Sequence, residues 1–247
     1  MPLTPVNVEF TAKDTAKAVK RRDIIIVIDV LRCSSTMITA LANGAKGIIP
    51  VETIKEAWAH RKEHPEFLLA GERRGLKPKG FDLGNSPFNF SSETVEGKQI
   101  ILTTTSGTKA ISSAKKGRKV LVGAFLNVEA VADAALKIAE KEQAGISIVL
   151  SGKMGRFSLE DFLCAGAIIN SLSTKKVELS DAALAALLAF QQAREYLSAI
   201  VQRGSHARYL ESIGFEEDVR FCSRINVFQV VPVLEGETMV PLNISRV

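Results

Sequence analysis

The chain has 247 residues, 46% of them hydrophobic, enough to bury a substantial core in one large domain or two small lobes. Lysine and arginine outnumber aspartate and glutamate, 32 to 27, and the basic residues are scattered, a balance that fits a small anionic ligand as well as it fits nucleic acid. With two tyrosines, one tryptophan, no RNA-binding signature, no leader-like N-terminus and no apolar run of spanning length, the expectation is a cytoplasmic protein engaging neither nucleic acid nor membrane.

Short apolar runs alternate with helical periodicity. Val6 to Phe10 reads as a strand and Thr15 to Lys20 as a basic helix, followed by a strand from Ile24 and a helix from Ser35 to Asn43. Next come a strand at Gly47 to Val51, a helix at Ile54 to His64 and a strand at Phe67 to Ala70. The periodicity disappears between Gly71 and Ser92, a glycine- and proline-rich stretch long enough to serve as a lid or binding loop. The rhythm resumes with strands at Gln99 to Leu102, Lys119 to Val122 and Ile146 to Leu150, and helices at Thr108 to Ala114, Val128 to Glu142 and Leu159 to Leu172. From Ser180 an Ala/Leu-rich helix is predicted to run to about Gln202. This alternation predicts an α/β fold, a three-layer α/β/α unit around a parallel or mixed sheet. It reads as one unit over 1–247, and if it divides into two similar lobes the boundary falls at Gly123 to Val128.

Three of the apolar runs empty into turns rich in hydroxyl side chains and glycine. Ile24 to Leu31 leads into Arg32-Cys33-Ser34-Ser35-Thr36, Ile100 to Leu102 into Thr103 to Thr108, and Ile146 to Leu150 into Ser151-Gly152-Lys153-Met154-Gly155-Arg156. A helix N-terminus offers unpaired N–H groups and a partial positive charge, so such strand ends hold anions. Candidate binding groups are Ser34, Ser35, Thr36, Thr105, Ser106, Gly107, Thr108, Ser151 and Gly152, joined by Asn85 and Ser86 from the long loop, with Arg32, Lys153 and Arg156 supplying charge.

Asp29 interrupts an apolar strand, where an unpaired carboxylate is expensive to bury. It is read as a metal ligand or catalytic group, against the plainer alternatives of a cap or an ion pair with Arg32. Glu160 and Asp161 sit in the first turn of a predicted helix, where acids also serve the helix dipole. Carboxylates without His or Cys partners suit magnesium or manganese. Cys33, Cys164 and Cys222 have no CxxC spacing and no Arg six positions on, so they read as small core residues. Thr103 to Thr108 lacks the P-loop spacing, and His60, His64 and His206 match no catalytic pattern and read as surface or packing residues.

The segments Asp29 to Thr36, Gly71-Glu72-Arg73, Gly80-Phe81-Asp82-Leu83-Gly84-Asn85-Ser86-Pro87, Thr103 to Thr108, Phe125-Leu126-Asn127, Ser158 to Gly166 and Ser180-Asp181-Ala182 together resemble the 2-phosphosulfolactate phosphatase family from about residue 23 to Pro232. Ser106 stands where that family often has Asn, and Cys33 where Ala is common. The resemblance implies a magnesium-dependent phosphatase that converts 2-phospho-3-sulfolactate to 3-sulfolactate on the way to coenzyme M. The resulting expectation is Mg²⁺ held by some of Asp29, Glu72, Asp82, Glu160 and Asp161, with Arg32, Lys153 and Arg156 stabilising the transition state. A phosphatase for another phosphorylated hydroxy acid, or a non-catalytic binder of small organic anions, remains the alternative, and a homo-oligomer stays open.

Overall fold

The structure, a computed structural model, describes residues 3–243. In chain order its elements are β1 (Thr4–Glu9), α1 (Thr15–Arg21), β2 (Ile24–Ile28), α2 (Cys33–Ala42), β3 (Gly47–Val51), α3 (Ile54–Glu63), β4 (Leu68–Gly71), α4 (Ser92–Val95), β5 (Gln99–Thr103), α5 (Gly107–Ala114) and β6 (Lys119–Gly123). They continue with α6 (Val128–Glu142), β7 (Ile146–Leu150), α7 (Leu159–Leu172), β8 (Val177–Leu179), α8 (Asp181–Ala193), α9 (Leu197–Gln202), α10 (Ser205–Ser212), α11 (Glu216–Cys222), β9 (Pro232–Glu235) and β10 (Thr238–Pro241).

Among the described residues, ten strands form one mixed sheet in the order β4-β5-β3-β10-β9-β6-β2-β7-β1-β8. It contains two parallel blocks, β4-β5-β3 and β6-β2-β7-β1-β8. The antiparallel hairpin β9-β10 lies between them and pairs with β6 on one side and β3 on the other.

Side chains alternate across a strand, and in β2 both faces are covered. Ile24, Ile26 and Ile28 join a core with Val131, Ala135 and Ile168 of α6 and α7, while Ile25 and Val27 join another with Met37, Ile38 and Ile111 of α2 and α5. This is the physical content of the three-layer α/β/α arrangement, and it explains why the run Ile24–Ile28 is apolar without interruption. In the first block, Ile100 and Leu102 face the second core and Ile101 faces a third with Val51, Ala57, Leu69 and Phe81.

One expectation changes in detail. The predicted helix from Ser180 to Gln202 is broken by a 3₁₀ turn at Arg194–Tyr196 into α8 and α9. The break lets Leu197 and Val201 reach the core while α9 packs against α10 and α11. The loop after Gly71, read as a lid or binding loop, is anchored by the buried Phe81 and Phe90, and Leu83 bridges to Ala70. Among the described residues, no helix is long and apolar enough to cross a membrane.

Candidate active site

The C-terminal ends of β2, β4, β5 and β7 open onto one cavity of about 480 Å³. Open α/β sheets place ligands at this end of their strands. Asp29 and Leu31 follow β2, Glu72 to Gly75 follow β4, Thr104 to Ser106 follow β5, and Gly152 to Met154 follow β7; α10 closes one side with His206, Tyr209 and Leu210.

Two walls of the cavity are built alike. Arg73-Arg74-Gly75-Leu76 and Lys153-Met154-Gly155-Arg156 are tight turns closed by paired backbone hydrogen bonds of 2.9 to 3.1 Å. Their central residues carry the same positive φ values, +52° at Arg74 and Met154 and +76° at Gly75 and Gly155. That left-handed backbone is cheap only for glycine, which accounts for Gly75 and Gly155. Each turn is also tied down by a carboxylate. Thr105 N and Gly75 N donate to Glu72 at 2.7 and 2.8 Å, and Val30 N and Gly152 N donate to Asp161 at 2.9 and 3.2 Å.

Asp29 lines the cavity, and burial, helped by the charges of Glu72 and Glu160, pushes its carboxyl up to about 6 although His206 opposes the shift. It does not pair with Arg32. Gly107 lies against it so closely that a Cβ there would sit 2.6 Å from Asp29 Oδ2 and 2.5 Å from Cys33 Cβ. Thr105 and Ser106 line the cavity, whereas Thr108 turns inward and exchanges hydrogen bonds with Thr104.

Arg32 reaches the wall of the cavity but is committed elsewhere. Its Nη1 donates to Asp218 Oδ2 at 2.6 Å, its Nη2 to the Gly75 carbonyl at 2.5 Å, and its guanidinium lies 4.0 Å from the Phe215 ring centroid. Ser86 Oγ donates to the other Asp218 oxygen at 2.7 Å, so Arg32 and Ser86 hold the loop rather than face a ligand. The hydroxyls of α2 are spent in the same way: Ser34 Oγ accepts from Asp29 N, Ser35 Oγ donates to the Val30 carbonyl, and Thr36 Oγ1 donates to the Asn85 carbonyl. Asn85 itself lines the cavity with its Oδ1 buried and unpartnered. Arg156 is exposed and outside the lining.

The five carboxylates among which metal ligands are expected do not form one cluster, and no group of three or more His, Cys, Asp or Glu among the described residues could hold an ion. Asp82 pairs with Arg61 at 2.6 Å and accepts from Leu69 N, away from the others. Asp161 spends its oxygens on Val30 N and Gly152 N, and burial, with the charges of Glu160 and Asp29, pushes its carboxyl well up. Glu160 lies behind the wall and pairs with His206, which leaves Asp29 and Glu72 as the two carboxylates of the cavity.

The pattern of the 2-phosphosulpholactate phosphatase family matches residues 10–237. The chain belongs to this family. It is 46% identical over 209 residues to a probable 2-phosphosulfolactate phosphatase of Thermotoga petrophila, covering 85% of this chain and 88% of the relative. Relatives of the same name from Clostridium perfringens and Clostridium acetobutylicum are 43% and 37% identical over 213 and 230 residues, with 84% of both chains covered in the first case and 92% and 96% in the second. The family is one of phosphoric monoester hydrolases, and the cavity is where such chemistry fits.

The sequence reading missed His206, Tyr209, Asp218 and Arg74. His206, read as a surface or packing residue, lines the cavity with its Nδ1 3.3 Å from Glu160 Oε1. Lys153 lines the cavity with its Nζ 4.5 Å from the Tyr209 ring centroid, and burial pulls its ammonium below the ordinary value against the pull of Glu160. Arg74 was legible only as part of a charged loop. Nothing near His206 or Asp218 in the chain marks them, because their partners lie on distant segments.

Proposed function

We propose that this protein is a magnesium-dependent phosphatase that hydrolyses 2-phospho-3-sulfolactate to 3-sulfolactate and phosphate, a cytoplasmic step toward coenzyme M. The observation that carries the reading is the cavity itself, which Asp29 and Glu72 line together with Lys153 and Arg74, two cations that enter no ion pair among the described residues, in a chain of this family. Three buried free thiols are in keeping with a reducing compartment.

The donor set fits magnesium. Mg²⁺ keeps several waters and takes one or two carboxylates plus phosphate oxygens, so it needs no all-protein cage. Asp29 would hold it, with Glu72 beside it keeping its two oxygens on Thr105 N and Gly75 N, and a cation there relieves the repulsion that helps raise the Asp29 carboxyl. When bound, the ion supplies charge stabilisation at the phosphoryl oxygens.

Lys153 and Arg74, one from each tight turn, bind the anionic groups of the substrate and orient the phosphoryl group. In the overall reaction the bond between phosphorus and the C2 oxygen breaks, the hydroxyl of water ends on phosphorus, and a proton ends on the C2 oxygen. An alkoxide is a poor leaving group, so that proton has to be supplied as the bond breaks. His206, oriented by Glu160 through Nδ1, is the group placed to pass it.

The test is phosphate release from 2-phospho-3-sulfolactate with Mg²⁺ and with EDTA, alongside phosphorylated hydroxy acids lacking the sulfonate. Release with Mg²⁺ alone, fastest for the sulfonated substrate, is the expected result. No release from any of them overturns the enzymatic reading, and equal rates across the set overturn the substrate assignment.

A further inference from the structure

Next to the cavity lies a smaller pocket of about 330 Å³ that shares Thr105, Ser106 and Met154 with it. The catalytic reading above leaves this pocket without a role. We propose that it is an oxyanion subsite, accepting a sulfonate, sulfate or phosphate group.

Four observations converge on that chemistry. Lys109 and Ser113, four residues apart, lie on one face of α5, Ser106 caps its start, and all three line the pocket. Lys13 comes from the turn before α1 and closes the far side, where a Cβ on Gly155 would sit 3.7 Å from its Nζ. Neither lysine enters an ion pair among the described residues, and no lining side chain carries a carboxylate. The last observation is Ser151, at the end of β7: it also lines the pocket, is 2% exposed, and its Oγ has no hydrogen-bond partner. Buried hydroxyls are nearly always paired, so an unpaired one on a residue lining a pocket with two lysines points to a ligand oxygen there. Ammonium groups and hydroxyl donors without aromatic stacking suit a compact oxyanion rather than a base or an apolar group.

The oxyanion has two sources. As the second anionic group of the substrate it would give the active site its preference for a sulfonate, and that version rests on the phosphatase reading. As a free anion it does not depend on catalysis at all.

The full chain, titrated with sodium sulfate and followed by amide chemical shifts, tests the subsite directly. Shifts are expected at Ser106, Ser151 and Gly155. Lys109→Gln, Lys13→Gln and Ser151→Ala should each weaken sulfate binding by about threefold. The serine variant carries no charge change, so a diffuse electrostatic attraction would leave it unaffected. Steady-state kinetics then separate the sources. A KM rise of about threefold in Lys109→Gln for 2-phospho-3-sulfolactate but not for 2-phospholactate assigns the site to the substrate. Weakened sulfate binding with both KM values unchanged assigns it to a free anion. Sulfate shifts confined to Thr104 and Gly75, or a Ser151→Ala protein that binds sulfate as well as the parent, overturn the subsite. Absence of phosphatase activity with intact sulfate binding overturns only the function proposed above.

Discussion

His206 Nδ1 lies 3.3 Å from Glu160 Oε1, bringing α10 to the first turn of α7 at the wall of the cavity. Burial pushes the Glu160 carboxyl up, but the hydrogen bond and charge of His206 outweigh it and hold the group below its ordinary value. A carboxylate held ionised behind an imidazole fixes the ring's orientation. His206→Gln is therefore expected to lower kcat on 2-phospho-3-sulfolactate by about a hundredfold, in the range for loss of a general acid. The loss should shrink to within about threefold for 4-nitrophenyl phosphate, whose leaving group departs without a proton. Glu160→Gln should show the same dependence on leaving group with a smaller loss. Equal losses on both substrates would remove His206 from proton transfer.

Asp29 carries a conflict between stability and chemistry. Its folded carboxyl titrates near 6 against an ordinary 3.8, so the folded chain holds the proton more tightly than the unfolded chain. The cost to stability is absent below about pH 4, grows through pH 6 and is complete above it, where it amounts to about 3 kcal/mol. In EDTA, Asp29→Asn should melt several degrees higher than the parent at pH 8 and no higher at pH 4, while turnover with Mg²⁺ falls at least about a thousandfold. A variant with near-parental activity would take Asp29 out of the site, and one less stable at pH 8 would show that the carboxylate supports the fold.

The buried pair of Arg32 and Asp218 predicts a different kind of defect. Asp218→Asn leaves a buried guanidinium without its counter-charge and weakens the grip on Ser86 and, through Arg32, on Gly75. Breaking such a pair costs about 3 kcal/mol, read as a fall in melting temperature. KM and kcat should both worsen, because the loop carrying Asn85 and the turn carrying Arg74 loosen together. An Asp218→Asn protein of unchanged stability and raised KM alone would instead place Arg32 on the substrate.

Gly107 tests how tightly the site is packed. In Gly107→Ala the new methyl group meets Asp29 Oδ2 and Cys33 Cβ well inside contact distance, so either the carboxylate or the start of α5 has to shift. Overpacking of this sort costs about 1 to 3 kcal/mol. The expected signature is a kcat loss of about a hundredfold in a protein that still folds and melts cooperatively. Full activity would show that Asp29 moves freely.

The elements of this protein were legible where the chemistry is local. The uninterrupted run Ile24–Ile28 could only be a strand buried on both faces, and the hydroxyl-rich turns after Ile28, Leu102 and Leu150 marked the strand ends that line the cavity. Asp29 stood out because a carboxylate closing an apolar strand is costly wherever it lies. The direction in which each polar side chain points was not legible. Arg32 and Lys153 follow strands in similar turns, yet Arg32 is drawn into Asp218, 186 residues away, while Lys153 lies over the Tyr209 ring and enters no ion pair among the described residues. Asp161 and Glu160 are neighbours, yet one caps two backbone amides and the other holds His206 from α10. The hairpin β9-β10 likewise gives no local sign that it will sit between two parallel blocks. Backbone propensity and apolar periodicity act over a few residues and set the elements, whereas a charged side chain is committed by whichever opposite charge or open donor the fold brings beside it, and that pairing exists only once the segments have met.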